Sequence, residues 1–324
     1  MKFTENMLSN YAAPLSESED NRCKNAISMV SDALKGLGLY QDQRGIHKLY
    51  EDTYSYAVNM ANSTGTRKVK IFVQGSYANN TNVRTESDVD IAVIQEEVFR
   101  TKYRTTGMYI QTDADYGFRE SEKKDKSFKD EVLSCLREKF GRDVERKNKS
   151  IKIHGNSYRN DADAVPCMRY RDYTNDYKKD EGNYVGGIVI IADSGESIIN
   201  YPEQHIENGR KKNQQTNHSY KKMVRIMKKM RYLMEDCGYD SAKNVSSFLL
   251  ESLLYNIPNE FYLEYGQYRK VFIFDNIINY VVSHKSSYDE YTEANGIKPL
   301  CGNSVQKSKL EAFVTDLRSF YEYE

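Results

Sequence analysis

The sequence contains no tryptophan and only five prolines, and no glycine- or proline-rich linker divides its 324 residues. The 47 basic and 47 acidic residues cancel, which excludes a chain-wide positive field that would attract nucleic acid. The five cysteines show no Cys-x-x-Cys spacing, so we expect reduced thiols in a cytoplasm and neither a disulfide framework nor a zinc site. No apolar run has membrane-spanning length and the N-terminus lacks a signal-peptide core, so we expect a soluble chain with no membrane partner.

The most informative stretch of the chain begins with a strand pattern and ends in a turn. Val69, Ile71 and Val73 alternate with polar residues, which predicts a strand with one buried face. Gly75-Ser76 then breaks the pattern, and residues 77–80 suggest a short helical turn. Backbone amides at such a turn, together with the Ser76 hydroxyl, can hold phosphate oxygens.

Two carboxylates follow this turn on the next predicted strand. Asp88 and Asp90 are two residues apart, so their side chains share one face. Two carboxylates opposite a phosphate-holding turn suit a pair of magnesium ions, the arrangement used for phosphoryl or nucleotidyl transfer. Either motif alone is as well explained by a polar turn that leads into an ordinary edge strand, but their order along the chain makes a strong combined signal.

A third carboxylate comes from a later strand, predicted over residues 161–167. Asp161 and Asp163 both lie on it, and the two-residue period places them on the same face. Spacing alone therefore does not choose between them.

The remaining chain is predicted to be mainly helical. A helix is expected over residues 46–60, and a longer one over 218–235 places Met223, Met227, Met230 and Met234 on one stripe, a pattern typical of core packing. We expect two lobes, a catalytic lobe over residues 1–204 that includes the N-terminal helices and a helical lobe over residues 205–324.

The order strand, Gly-Ser turn, short helix, strand and Asp-x-Asp resembles the DNA polymerase β-type nucleotidyltransferase superfamily. The run Asp163-Ala164-Val165-Pro166 is similar to the third-acid motif of the CD-NTases, the bacterial relatives of cyclic GMP-AMP synthase and oligoadenylate synthase. The resemblance favours Asp163 over Asp161 as the third acid. It implies an α+β fold with a polymerase β-like sheet lobe, a helical lobe and an active site in the cleft between them.

The resemblance also implies roles for individual residues. Asp88, Asp90 and Asp163 would be the catalytic acids and would bind two Mg²⁺ ions, with Mn²⁺ as an alternative. The remaining nucleotide contacts would come from the turn and from two helices: Gly75, Ser76, Lys228 and Ser247 at the phosphates, and Phe248 at the base. For Phe248, an ordinary core position explains the sequence equally well.

By this resemblance the chain makes a cyclic di- or trinucleotide, or a short linear oligonucleotide, from nucleoside triphosphates. The product would serve as a second messenger in bacterial anti-phage (CBASS) signalling and would activate a downstream effector. The run from Asn80 to Arg84 points to the CdnE-like subgroup that accepts pyrimidines. The alternatives are a nucleotidyltransferase that modifies an RNA end, a small molecule or a protein, and an inactive nucleotide- or RNA-binding module.

A regulatory partner is also open at this point. An activating RNA or a regulatory protein could use the basic helix faces, although solvated lysines explain the pattern as well. The lysines in question are Lys211, Lys212, Lys221, Lys222 and Lys229.

Overall fold

The computed structural model describes residues 3–14, 16–83, 88–107, 110–122, 125–156, 160–263 and 269–323. The chain divides into two compact units. The sheet unit comprises Glu17–Tyr77 and Asp88–Pro202, and the helical unit comprises Met1–Ser16, Ala78–Ser87 and Glu203–Glu324. The fold is α+β, as the sequence predicts.

The strands of the sheet unit, within the described residues, are β1 (Tyr40–Gln41), β2 (His47–Lys48), β3 (Tyr56–Ala61), β4 (Lys68–Val73), β5 (Val89–Lys102), β6 (Val144–Arg146), β7 (Ile151–Ile153), β8 (Ala162–Asp172), β9 (Val185–Ile191) and β10 (Ser197–Asn200). They form one ten-stranded sheet with the order β1-β3-β4-β5-β8-β7-β6, in which β2 pairs with β3, β9 pairs with β8 and β10 pairs with β9. The central pair β5–β8 is parallel, whereas β4–β5 and β7–β8 are antiparallel. Ile91, Ala92, Val93 and Ile94 of β5 are all fully buried, so the centre of the sheet is covered on both faces.

Helices cover this sheet and connect its strands. They are α2 (Glu17–Leu34), α3 (Gly75–Asn79) and α4 (Phe128–Phe140). The apolar stripe of α2 includes Ile27, Val30 and Leu34, all fully buried, and α2 packs on β3, β4 and β5. Ser127 caps the N-terminus of α4: its side chain accepts a hydrogen bond from the Asp130 amide, and the Asp130 carboxylate accepts one from the Ser127 amide.

The helical unit has a continuous apolar core. Its helices are α1 (Glu5–Tyr11), α5 (Pro202–Gln215), α6 (Tyr220–Asp236), α7 (Asp240–Lys243), α8 (Ser247–Tyr255), α9 (Lys270–Ser283) and α10 (Ser304–Tyr323). Met223, Met227, Met230 and Met234 of α6 are buried in that core. The prediction that this methionine stripe serves packing is confirmed.

Two sequence-based expectations differ from the structure. The predicted helix over residues 46–60 is wrong, because this segment contains β2 and β3. Tyr56, Ala57 and Val58 are buried in succession, so β3 is covered on both faces and its apolar run lacks the clean alternation of a half-exposed strand. The division of the chain is also less linear than the expected boundary at residue 204, since Met1–Ser16 and Ala78–Ser87 group with the helical unit.

All five cysteines, each within the described residues, are free thiols. None of the helices in the described part of the chain is long and apolar enough to cross a membrane.

Candidate active site

The turn after β4 places the chain backbone against Asp90. The Gln74 amide donates a hydrogen bond to the Asp90 carbonyl oxygen at 2.8 Å. Gly75 has a φ of +69°, and a Cβ built on it would lie 2.4 Å from Asp90 Oδ2. Glycine is therefore required both by the left-handed backbone and by the space that the carboxylate occupies. Ser76 follows within α3 and is half-buried.

The acids are brought together by strand register. Asp90 and Asp163 are direct partners in the parallel pair β5–β8, and Asp88 precedes Asp90 by two residues. Residues paired across neighbouring strands face the same side of a sheet, as do residues i and i+2 of one strand. Register therefore places Asp90 and Asp163 on one face, and Asp88, the residue directly before β5, lies close enough for its charge to act on both.

The electrostatics of these acids differ from those of ordinary surface carboxylates. Burial, followed by the negative charges of Asp163 and Asp88, raises the pKa of Asp90 to about 7. Burial and then the charge of Asp88 also raise the pKa of Asp163, although the Ser150 hydroxyl donates a hydrogen bond to Asp163 Oδ1 at 3.3 Å. Burial and the neighbouring acids therefore both disfavour the ionised forms of Asp90 and Asp163.

Asp161, the alternative third acid, has a different environment. The Gly155 amide donates a hydrogen bond to Asp161 Oδ1 at 2.6 Å, and Lys152 Nζ lies 3.0 Å from Asp161 Oδ2. Burial alone would raise the pKa of Asp161, but these hydrogen bonds and the lysine charge bring it below its ordinary value. Protein donors hold Asp161, whereas Asp163 lies among like charges. This contrast supports Asp163 as the third acid, and the assignment stays a prediction.

Lys152 is a residue of this site that the sequence reasoning missed. It lies on β7 directly opposite Asp163, and its Nζ donates to Asp88 Oδ2 at 2.8 Å. The hydrogen bonds that it donates to Asp88 and Asp161 raise the pKa of Lys152 above its usual range. The sequence carried a signal for Lys152, because it stands between the apolar residues Ile151 and Ile153 of a predicted strand. Both isoleucines are buried, so Lys152 points to the opposite face.

The donor set suits a hard divalent cation. Carboxylate oxygens are the ligands that Mg²⁺ prefers. Burial and then neighbouring negative charge raise the pKa of Asp90 and of Asp163, and a bound cation would favour the ionised form of both. Within the described residues, no three acidic, histidine or cysteine side chains already form a metal cage. The Asp88 carboxylate is instead hydrogen-bonded to the Lys152 ammonium. Asp88, Asp90 and Asp163 fit a divalent cation by the chemistry of their oxygen atoms, and Asp90 and Asp163 are paired on neighbouring strands.

The structure places Lys228 in a buried network of the helical unit. Its Nζ lies 2.6 Å from Glu251 Oε2 and donates to Thr81 Oγ1 at 3.1 Å. His205 Nε2 lies 2.9 Å from Glu251 Oε1. The Lys228 and Glu251 side chains are only 3% and 2% exposed. In this conformation the ammonium is engaged by a carboxylate, and its contact with the triphosphate stays a prediction.

Ser247 and Phe248 open helix α8. The Ser247 hydroxyl accepts a hydrogen bond from Arg231 Nη1 at 2.9 Å, so a guanidinium that sequence reasoning did not single out lies beside the predicted phosphate contact. Phe248 is 39% exposed and makes an edge-to-face contact with His205, with ring centroids 5.2 Å apart. Phe248 is therefore not a core aromatic, and base stacking stays a prediction for it.

The basic helix faces are less exposed than the sequence suggested. Lys212 and Lys221 are buried, and Lys212 Nζ donates to the Ile257 carbonyl oxygen. Of the run used to argue for pyrimidine acceptance, Thr81 belongs to the buried network, while Arg84 lies outside the described residues.

Comparison with known proteins agrees with this architecture. Residues 60–156 match a nucleotidyltransferase domain, and residues 207–322 match the cGAS/DncV-like nucleotidyltransferase C-terminal helical domain. The chain is 46% identical to the cyclic GMP-AMP synthase CdnE03 of Staphylococcus schleiferi, over 100% of this chain and 98% of the relative. It is 34% identical to the cyclic dipyrimidine nucleotide synthase CdnE of Legionella pneumophila, over 93% of this chain and 91% of the relative.

A solved structure shows the same fold over the whole chain. The CdnE cyclic dinucleotide synthase of Elizabethkingia meningoseptica with GTP and Apcpp superimposes with a TM-score of 0.73 at 30% identity, covering 99% of this chain and 100% of that chain. These matches extend over both units and confirm the resemblance noted in the sequence. The chain belongs to the cGAS/DncV-like nucleotidyltransferases, the CD-NTase family, among the CdnE-type cyclic nucleotide synthases.

Proposed function

We propose that this enzyme joins nucleoside triphosphates into a cyclic di- or trinucleotide that acts as a second messenger in bacterial anti-phage (CBASS) signalling. The observation that carries the proposal is the register of β5 on β8, in which Asp90 is paired with Asp163, while the charge of Asp88 acts on both. The names of the full-length relatives support a cyclic product. The free thiols fit a cytoplasmic protein.

The reaction is in-line attack by a ribose hydroxyl on the α-phosphate of a nucleoside triphosphate, with pyrophosphate leaving. Asp88, Asp90 and Asp163 would hold Mg²⁺, which supplies charge neutralisation at the phosphates and lowers the pKa of the attacking hydroxyl. Asp163 would accept the hydroxyl proton, and its raised pKa supports that role. Backbone amides of the turn at Gly75 and the Ser76 hydroxyl would bind phosphate oxygens.

The test is product formation from labelled triphosphates and Mg²⁺ with no other acceptor. The 46% identical relative is named a cyclic GMP-AMP synthase, so ATP with GTP is the first pair, followed by all four nucleotides. Mass spectrometry of phosphatase-resistant product gives the bases and ring size. Asp90→Asn should abolish turnover. Asp172→Asn makes the same change on β8, where Asp172 pairs with Lys102 and accepts hydrogen bonds from Thr174, and should retain turnover.

The same experiment tests the alternative acceptors, which are an RNA end, a small molecule and a protein. If label appears only after addition of an RNA, a small molecule or a protein, the enzyme modifies that acceptor and the messenger proposal is wrong. If no condition gives transfer and the wild type binds nucleotide as Asp90→Asn does, the chain is a binding module.

Regulation by RNA or by a protein partner is a separate part of the proposal. The lysines that remain partly or fully exposed, Lys211, Lys222 and Lys229, are too few to make RNA binding the default. Salt-sensitive binding with stimulation of turnover would support an activating RNA. Unchanged turnover without a shift in an electrophoretic assay would exclude it.

A further inference from the structure

Lys152 lies beside the acidic cluster of the sheet unit. Lys152 Nζ lies 2.8 Å from Asp88 Oδ2 and 3.0 Å from Asp161 Oδ2, and Lys152 is the cross-strand partner of Asp163. One ammonium has three N–H donors and can bridge two carboxylates at once. Lys152 therefore lies between an acid predicted to bind metal and an acid that is not.

We propose that Lys152 is a positioning residue that holds the Asp88 carboxylate before a divalent cation binds and moves wholly onto Asp161 when the cation takes Asp88. The proposal rests on the proposed function, because it takes Asp88 as a metal ligand. It gives Asp161, which the catalytic mechanism does not use, the role of an alternative partner for Lys152.

Asp161 is suited to that role because it is held in place independently of Lys152. The Gly155 amide donates to Asp161 Oδ1 at 2.6 Å, while Lys152 approaches the other oxygen, Oδ2. Asp161 thus keeps a fixed orientation when the lysine hydrogen bond changes. The ammonium needs no large movement, since both carboxylates are already within hydrogen-bond distance.

The Asp88 side of the bridge is suited to exchange. The Asp88 side chain is 38% exposed and that of Lys152 is 22% exposed, and ion pairs of this exposure contribute little in water. A divalent cation would therefore displace the lysine at small cost.

Two explanations predict different couplings between these residues. If Lys152 and Asp161 act only through their charges, removing either changes cation affinity by its own amount and the two effects add. If Asp161 acts by drawing Lys152 away from Asp88, its removal matters only while Lys152 is present. A double-mutant cycle separates these cases.

The experiment measures Mn²⁺ binding to the full chain by electron paramagnetic resonance, without nucleotide or turnover. Lys152→Met should tighten Mn²⁺ binding by about fivefold, and Asp161→Asn should weaken it by about threefold, the size of an exposed ion pair. Asp161→Asn should have no effect in the Lys152→Met background. Lys149→Met removes a charge from the turn between β6 and β7 and is the control. Lys149 Nζ lies 3.9 Å from Glu196 Oε2, and its replacement should leave Mn²⁺ binding unchanged.

Melting temperatures establish that each variant is folded, and Lys152→Gln provides a second neutral replacement. If Asp161→Asn weakens Mn²⁺ binding equally with and without Lys152, the exchange is overturned although the proposed function stands. If Mn²⁺ binding to the wild type does not depend on Asp88, tested with Asp88→Asn, the metal site itself is wrong and both proposals fail.

Discussion

The buried pair of Lys228 and Glu251 allows a test of whether Lys228 stabilises the fold or binds the triphosphate. The two side chains are 3% and 2% exposed, with the ammonium 2.6 Å from the carboxylate. Water screens such a pair little, and removing one partner leaves the other charge buried and uncompensated. We expect Lys228→Met or Glu251→Gln to lower the free energy of unfolding by about 3–5 kcal/mol.

The measurement is denaturant unfolding of the wild type and both single variants, with the double variant Lys228→Met/Glu251→Gln. The double variant should lose less stability than the sum of the singles, because it leaves no unpaired charge in this pair. Lys229→Met, the next residue of the same helix, is the control and should stay within about 0.5 kcal/mol of the wild type.

A specific result would refute this reasoning. If Lys228→Met unfolds like the wild type but loses affinity for nucleoside triphosphate, Lys228 acts at the phosphates, as the family resemblance implied, and its pairing with Glu251 is incidental. If it loses both stability and affinity, Glu251→Gln decides, since Lys228 is retained there and only the network is weakened.

Three further predictions concern the turn, the acids and the exposed aromatic. Gly75→Ala should abolish labelled-product formation and lower stability by about 1–3 kcal/mol in denaturant unfolding, because the new Cβ meets Asp90 at 2.4 Å and φ is +69°. Since the folded-state pKa of Asp90 is raised to about 7 from 3.8, the folded state binds the extra proton between these values and stability falls as pH rises through that window. Asp90→Asn should therefore be more stable than the wild type at pH 8 and similar to it near pH 4 in urea unfolding; a constant difference across pH would contradict this. Phe248→Ala should weaken nucleotide binding by about 1–3 kcal/mol in calorimetry with little change in melting temperature, because the ring is 39% exposed; the reverse pattern would make it a packing residue.

The parts of the site that the sequence predicted depend on local periodicity. The strand before Gly75, the turn itself and the shared face of Asp88 and Asp90 follow from neighbours within a few residues. The strand and the turn are present as β4 and α3, Asp90 lies on β5, and Asp88 directly precedes β5. The methionine stripe of α6 belongs to the same class, since its spacing alone predicts burial.

The parts that the sequence left open depend on strand register and on distant partners. Asp161 and Asp163 are equivalent by spacing, and only the pairing of β8 with β5 and β7 shows that Asp163 lies opposite Asp90. Lys152 enters the site by the same register. Glu251 becomes the partner of Lys228 only through the packing of α8 on α6, which no local pattern encodes.

The helix predicted over residues 46–60 is wrong for a related reason. A strand covered on both faces has no polar alternation, and its apolar run is as consistent with a buried helix as with a strand. Burial of β3 is a property of the assembled sheet and is absent from the segment taken alone. Strand pairing between distant segments therefore explains both the wrong helix prediction and the open choice between Asp161 and Asp163.

The buried carboxylates of the two units have opposite electrostatic environments. In the helical unit, Glu251 has hydrogen-bond partners on both oxygens, from Lys228 and His205, and each removal should cost stability. In the sheet unit, Asp90 lies among like charges with a raised pKa, so its removal should increase stability at neutral pH while abolishing turnover. Folding alone gives no reason to keep such a carboxylate, whereas a cation-dependent reaction does. The sign of the stability change on neutralising each acid therefore separates the residues that serve the reaction from those that serve the fold.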